Sequence, residues 1–395
     1  MNTTELDKQT YKEKIAIVVV GYNRLGGISR LLDSINHAYY DIEDVPLVIS
    51  IDASGNKDLY DYVRQFEWKH GDKIVNIQEE RLGLKKHIFQ CASLTKFFKG
   101  IVLLEDDLFV SPNFYHYCDS CLEKYGSCSD VAGISLYSEE INGYVGFPFQ
   151  PYQNEYDVYA WQTVCSWGQV WNVRMWNGFS SWLIQWNEDF ESIDMISDIK
   201  KWTRAWSKYY YAYMIQNNKY FIYPYQSLTT NFNDAGGEHG GGNASIVQVS
   251  LLQGKRNYIF GEFENLVKYD VYGQNKAIAE WLGIPLNDLT VDYYGLKDVY
   301  RGHYVLAPFH LPYKLVRSYS LSLRPWELNI KYGIEGGDIH LYYKEDEDTP
   351  APQNRIFPYG FAAYYLRGFN FRTLLKYTKK KLVTAIKRRL KLSKV

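Results

Sequence analysis

The sequence predicts an α/β fold with a mostly parallel central sheet flanked by helices. Two observations predict it. Short strands are read at Ile15–Val20, Pro46–Ile51, Lys73–Ile77, Ile101–Leu104 and Val131–Leu136; Ile15–Val20 and Ile101–Leu104 are continuous apolar runs, as expected of strands buried on both faces. Helical segments separate them, and such alternation builds βαβ units. At 395 residues the chain is long enough for a second domain.

Residues 1–13 form a polar lead. After the first strand, Gly21, Tyr22, Asn23 and Arg24 make a turn into a helix over 26–40. The second strand ends in Asp52, Ala53, Ser54 and Gly55, and a helix follows over 59–70. The third strand leads into a helix over 84–99. The fourth then runs straight into Glu105, Asp106 and Asp107. Burying three acids is costly unless they emerge into a cleft and meet a cation. Ligands of open α/β sheets bind beyond the carboxyl ends of the strands. Clustered oxygen ligands there suit Mg²⁺ or Mn²⁺, above all one shared with a diphosphate. The same residues also read as a solvated strand end before a helix, with Ser111 as its N-cap and Pro112 in its first position. That helix runs to about Tyr125, ahead of the fifth strand.

From Tyr137 to Phe190, Gly, Pro, Trp and Tyr predominate, which predicts loops and short helices covering one sheet edge. A helix is predicted over 199–216 and a strand near Tyr220–Tyr223. Asn231–Asn243 is a glycine-rich loop holding Asp234, Glu238 and His239; it reads either as a ligand-approaching loop or as a connector. The expected organisation is a lead (1–13), a catalytic domain (14–250), an accessory region (251–349) and a linker with a basic tail (350–395). In the tail, Phe371, Leu374, Leu375, Leu382, Ile386 and Leu390 fall on one side of a helix. Lys376, Lys380, Lys387, Arg388 and Lys391 fall largely on the other, with Lys379 and Arg389 breaking the pattern. Such a helix lies on an anionic membrane surface or packs on its own domain.

A net charge of −1 gives no reason to expect a nucleic-acid partner. Aromatics make up 17% of the chain; their faces suit sugar rings, and equally they fill cores. Cys118, Cys121 and Cys128 lack the second ligand pair of a zinc site and are expected as reduced thiols. The polar lead shows no secretory signal, and no apolar run is long enough to span a bilayer. The expected location is cytoplasmic, peripherally attached to the inner face of the plasma membrane.

Three pieces together carry a resemblance: Val20-Gly21-Tyr22-Asn23-Arg24 after the first strand, Asp52 after the second, and Glu105-Asp106-Asp107 after the fourth. In this order they resemble the GT-A glycosyltransferases, whose fold is a Rossmann-like sheet. The stretch from Leu104 through Ser111-Pro112-Asn113-Phe114-Tyr115 is similar to the N-acetylglucosaminyltransferase I family. Tyr223-Pro224 and Thr229-Thr230-Asn231-Phe232 through Gly240 resemble that family's closing region. The chain as a whole resembles bacterial relatives that build capsule or surface polysaccharide, over about residues 14–245.

The resemblance implies metal-dependent, inverting transfer from a nucleotide sugar, expected to be a UDP-sugar, to a glycan or lipid-linked oligosaccharide. It implies that Tyr22 and Arg24 border the nucleotide, Asp52 contacts its base, and Asp106 faces the ribose or donor sugar, with Glu105 in the same donor-binding set. Asp107 would bind Mn²⁺ or Mg²⁺, and His239 would complete the metal or phosphate site. Inversion also needs a carboxylate to deprotonate the acceptor hydroxyl. That base is expected after the fifth strand. The helical stretch Trp202–Tyr213 lacks an acid, which leaves Asp189 and Asp198 as candidates, then Asp157 and Glu155. Two rivals remain: a sugar nucleotidyltransferase, whose lysine-bearing phosphate loop is absent here, and a non-catalytic carbohydrate-binding protein.

Overall fold

The predicted strands form and are buried along almost their whole length, except Lys73–Ile77, which is half-buried throughout. In the computed structural model, which describes residues 9–234, 247–366 and 370–392, β1 (Ile15–Gly21), β2 (Leu47–Ile51), β3 (Lys73–Ile77) and β4 (Gly100–Glu105) pair in parallel in the order β4-β1-β2-β3. Helices α1 (Leu25–Asn36), α2 (Lys57–Gln65) and α3 (Leu84–Ala92) connect them. The chain runs from β1 outward through β2 to β3, then returns to place β4 on the other side of β1. This reversal of strand order makes a switch point between the carboxyl ends of β1 and β4.

The sheet continues beyond β4. After β5 (Leu108–Val110) and α4 (Phe114–Tyr125) comes β6 (Val131–Ser135), followed by a short hairpin, β7 (Ile141–Asn142) and β8 (Phe147–Pro148). Then come β9 (Val158–Trp161), β10 (Gln169–Trp171), α5 (Val173–Gln185), α6 (Ser197–Lys200), α7 (Ser207–Gln216), β11 (Tyr220–Pro224), β12 (Thr229–Asn231), β13 (Lys268–Tyr269) and α8 (Ala277–Leu282). Nine strands form one mixed, mostly parallel sheet in the order β13-β9-β11-β6-β10-β4-β1-β2-β3. β10 lies antiparallel between β4 and β6, so the latter two point the same way. Much of the aromatic content is core: Phe179 stacks on Tyr210 at 4.3 Å and Tyr210 on Trp171 at 5.6 Å, beneath α5 and α7.

Five predicted helices change at their ends: those over 26–40 and 59–70 stop at Asn36 and Gln65, and three others change for local reasons. The one over 84–99 stops at Ala92 and tightens into a 3₁₀ turn, where the Ser93 hydroxyl bonds back to the Gln90 carbonyl at 2.6 Å. The one over 199–216 is two helices; Lys208 Nζ caps the last carbonyl of α6, at Lys200, at 2.5 Å. The one after the acid run starts at Phe114, not at Pro112. Ser111 is held instead by donating its N–H to the Leu228 carbonyl at 2.8 Å, while its hydroxyl accepts from the Asn113 N–H.

The chain divides into two compact units: residues 1–286 with 296–299, and residues 287–295 with 300–395. The first carries the sheet, so the boundary expected at 250 falls inside it: β13 pairs with β9, and the Tyr125 hydroxyl bonds the Gly261 carbonyl at 2.8 Å. The second unit holds a four-stranded sheet, in the order Leu289–Val291, Tyr304–Ala307, Ile339–Tyr343, Lys314–Tyr319. The segment after 350, expected as a linker, is docked on this unit as far as Leu366. Arg355 pairs with buried Asp292 at 2.6 Å, Phe361 and Tyr364 are buried, and Tyr293 stacks on Trp326 at 3.9 Å under the ring of Phe361. The tail itself is a helix, Phe371–Leu392, with Leu374, Leu375, Leu382 and Ile386 exposed. Among the described residues no helix is long and apolar enough to cross a membrane. All five cysteines are free thiols, and Cys118 and Cys121 are buried in α4.

Candidate active site

The switch point gathers the residues that the sequence singles out. β1 ends at Gly21, and Tyr22–Arg24 carry the chain into α1. Val20 pairs with Glu105, so the turn after β1 and the acids after β4 leave the sheet side by side. Arg24 Nε donates to Asp106 Oδ2 at 3.3 Å, and its Nη2 bonds Asp106 Oδ1 and lies 3.4 Å from Asp107 Oδ2. Asp106 is nearly buried at 4% exposure. Burial pushes its carboxyl up to about 6, and Arg24 pulls it partly back. Burial also disfavours the Arg24 cation, but Asp106, Asp107 and Asp234 outweigh it and raise the guanidinium pKa.

Two atoms in this cluster are left over. Arg24 Nη1 and Asp107 Oδ1 are both buried without a hydrogen-bond partner among the described residues. One is a donor and the other an acceptor, and unpaired buried polar atoms are costly in a native fold. Together they suit a ligand that brings both an anion and a cation.

The close packing here depends on a glycine. Gly27, in the first turn of α1, faces the backbone carbonyl of Asp106, and a Cβ at that position would collide with it. A second ion pair stands alongside: Arg30 of α1 grips Asp234, with Nη1 3.3 Å from Oδ1, and its guanidinium lies 3.7 Å over the Phe232 ring. β12 pairs with β5, and Phe232 donates its N–H to the Asp107 carbonyl at 2.9 Å, which brings Asp234 back to the acid run. The sequence marks Asp234 only as part of a glycine-rich loop; its partner lies 204 residues away.

Asp52 stands beside this cluster with a different task. Its buried carboxylate accepts from the N–H groups of Ala53 at 2.9 Å, Leu82 at 2.8 Å and Gly83 at 2.9 Å. It thereby ties the carboxyl end of β2 to the start of α3. Tyr22 is exposed, with the Arg81 guanidinium 4.8 Å over its ring. Tyr22, Arg24, Asp52, Glu105, Asp106 and Asp107 thus share one edge of the sheet. His239 lies outside the described residues.

The carboxylates considered as bases have settings of their own. Asp189 sits in an exposed turn and accepts from the Ser192 N–H at 3.2 Å. Asp198 is exposed in α6, paired with Lys201 at 2.8 Å. Asp157 is taken up by Arg256 and by the Ile259 N–H at 2.8 Å, and Glu155 is exposed. Sequence reasoning passed over Glu139. The available signal was its position just beyond the fifth strand, in the run Ser138-Glu139-Glu140.

A divalent metal is only partly provided for by the protein. Among the described residues no three His, Cys, Asp or Glu groups gather as a metal cage. The orphaned Asp107 Oδ1 does offer one hard oxygen. Mg²⁺-like ions commonly bind through one or two carboxylates plus substrate phosphates, so this donor set fits a metal that arrives with a diphosphate.

No protein-family profile matches the chain, and no curated protein matches it. Solved structures do. TarS from S. aureus in complex with UDP aligns at 10% identity over 55% of this chain and 59% of that one, with a TM-score of 0.35. The mannosyltransferase PcManGT from Pyrobaculum calidifontis, in complex with GDP-Man and Mn²⁺, aligns at 13% identity over 41% of this chain and 45% of that one, with a TM-score of 0.31. GalNAc-T7 with UDP, GalNAc and Mn²⁺ aligns at 11% identity over 55% and 43%, with a TM-score of 0.35. The chain spans less than two thirds of the length of each.

Proposed function

We propose that the chain is a metal-dependent glycosyltransferase of the GT-A type. It moves a sugar from a nucleotide donor, a UDP-sugar, to a hydroxyl of a glycan or lipid-linked oligosaccharide, with inversion, in surface polysaccharide synthesis. The observation that carries this reading is a pair of buried atoms without partners among the described residues, Arg24 Nη1 and Asp107 Oδ1, at the switch point of a mostly parallel sheet. A nucleoside diphosphate with its cation satisfies both at once.

The roles follow from charge and position. Arg24, held in place by Asp106, donates from Nη1 to a diphosphate oxygen and stabilises the negative charge gathered as the sugar leaves. Asp107 would hold Mn²⁺ or Mg²⁺, with His239 as a second ligand. When bound, that ion acts as a Lewis acid on the leaving diphosphate. Tyr22 borders the nucleotide, and Asp52 fixes the turn at Leu82 and Gly83 against which the base rests. A carboxylate takes the acceptor proton, and Asp189 and Asp198 are the bases that the sequence puts forward. The tail helix rests on an anionic membrane, placing the enzyme at the inner face of the plasma membrane beside a lipid-linked acceptor.

The test is a thermal-shift panel of UDP- and GDP-sugars with and without Mn²⁺, on the wild type and on Asp107→Ala. One donor should raise the wild-type melting temperature only with metal. Asp107→Ala should melt like the wild type alone and lose that shift. No response to any donor would overturn the reading.

A further inference from the structure

We propose that Glu139 takes the proton of the acceptor hydroxyl, and that the half-open rings of Tyr144 and Trp167 near it receive a sugar acceptor. This rests on the glycosyltransferase reading above and names a part of the site which that reading leaves open.

The sheet register places Glu139. Gln169 of β10 pairs with Leu103 of β4 on one side and with Ser135 of β6 on the other. Asp107 lies four residues beyond Leu103, and Glu139 lies four residues beyond Ser135. β4 and β6 run the same way, so the strand ends that lead to the two acids lie at one edge of the sheet, two strand spacings (about 10 Å) apart. A diphosphate at Asp107 and an acceptor at Glu139 then approach from the same edge, with the donor sugar between them.

The surroundings suit a sugar and a proton acceptor. The half-buried Glu139 carboxylate has no hydrogen bond or ion pair among the described residues. Its charge acts on Tyr137, Tyr144, Tyr159, Tyr211, Tyr223 and Cys165, raising the pKa of each, and no cation is among them. Tyr159, Tyr223 and Cys165 are buried, whereas Tyr144 and Trp167 are half-open, and Trp167 packs edge-on to Tyr137 at 4.7 Å. The half-open rings of Tyr144 and Trp167 give apolar faces of the kind that sugars stack on. Burial pushes the Glu139 carboxyl up to about 8. A base with a pKa near the working pH combines a useful ionised fraction with proton affinity.

In the step, the acceptor oxygen forms a bond to C1 of the donor sugar while its proton passes to a Glu139 carboxylate oxygen. The bond from C1 to the diphosphate breaks, and its electron pair leaves with the diphosphate. Protonated Glu139 then releases the proton to water.

The experiment uses the full chain, the donor found by the thermal-shift panel, Mn²⁺, and n-octyl β-D-glucoside or water as acceptor. Nucleotide release is followed for wild type, Glu139→Gln and Glu139→Asp. Glu139→Gln should keep the donor shift and lose about 10²–10⁴-fold in turnover. The wild-type rate should rise with pH through an inflection near 8 that the Gln variant lacks. The Asp variant should recover part of the rate. Wild-type turnover with the same inflection in Glu139→Gln would overturn the proposal, as would loss of its donor shift, which would make Glu139 structural. A wild type that binds no donor sinks the glycosyltransferase reading instead.

Discussion

Arg24 donates from Nε to Oδ2 of Asp106 at 3.3 Å, across 82 residues of chain. The contact closes the switch point: it joins the turn after β1 to the acids after β4 and leaves Nη1 free of partners among the described residues. Removing the guanidinium strands a nearly buried carboxylate. Breaking a fully buried pair costs about 3–5 kcal/mol. Arg24 is partly solvated, so Arg24→Gln should cost about 2 kcal/mol. Urea denaturation checks this, and a loss below about 0.5 kcal/mol would mean that the pair does not hold the site together.

Gly27 and Gly26 form a matched control. A Cβ on Gly27 meets the Asp106 carbonyl, whereas one on Gly26 meets nothing within 4 Å. Gly27→Ala should destabilise by about 1–3 kcal/mol through overpacking and weaken nucleotide binding. Gly26→Ala should be neutral or stabilise by up to about 1 kcal/mol through helix propensity. Equal effects of the two in thermal melts would show that α1 does not press on the acid turn.

The sheet was legible because its central strands are continuous aliphatic runs, which few other structures bury. β9 and β10 were not, since Val158–Trp161 and Gln169–Trp171 are short and lie among Gly, Trp and Tyr. The acid run and Asp52 were legible as strand ends. What each does was not: Asp52 serves three backbone N–H groups and Asp106 serves Arg24, and both facts depend on distant chain meeting in space. Arg30 with Asp234 was hidden for the same reason. Glu139 was hidden because its unusual setting comes from tyrosines on β9, β11 and α7.

Glu139 also makes stability depend on pH. Its carboxyl rises from an ordinary 4.5 to about 8 in the fold. Between those values the folded chain binds a proton that the unfolded chain has lost, so this contribution to stability falls as pH rises. Glu139→Gln removes the effect, and its stability relative to wild type should climb from pH 5 to pH 8. The slope is bounded by about 1.36 kcal/mol per pH unit and reduced by partial solvent exposure. Chemical denaturation of both proteins across that range should show the gap widening; a constant gap would contradict it.

The tail separates from the folded core at a definable point. Phe361 and Tyr364 are buried, while Leu374, Leu375, Leu382 and Ile386 are exposed. A chain ending at Leu366 should therefore melt like the full chain and stop pelleting with anionic vesicles. Each Lys or Arg near such a surface contributes about 1 kcal/mol, so full-length binding should fade with salt. Full-length protein that ignores phosphatidylserine vesicles at low salt would show that the helix packs on protein instead.

The most direct test is a crystal of the protein grown with UDP and Mn²⁺, with anomalous data collected at the manganese edge. One manganese peak is expected within about 2.5 Å of Asp107 Oδ1. A UDP diphosphate oxygen is expected within hydrogen-bond distance of Arg24 Nη1. A manganese ion or UDP bound away from the carboxyl ends of β1 and β4, with Asp107 Oδ1 and Arg24 Nη1 still unpartnered, would contradict it.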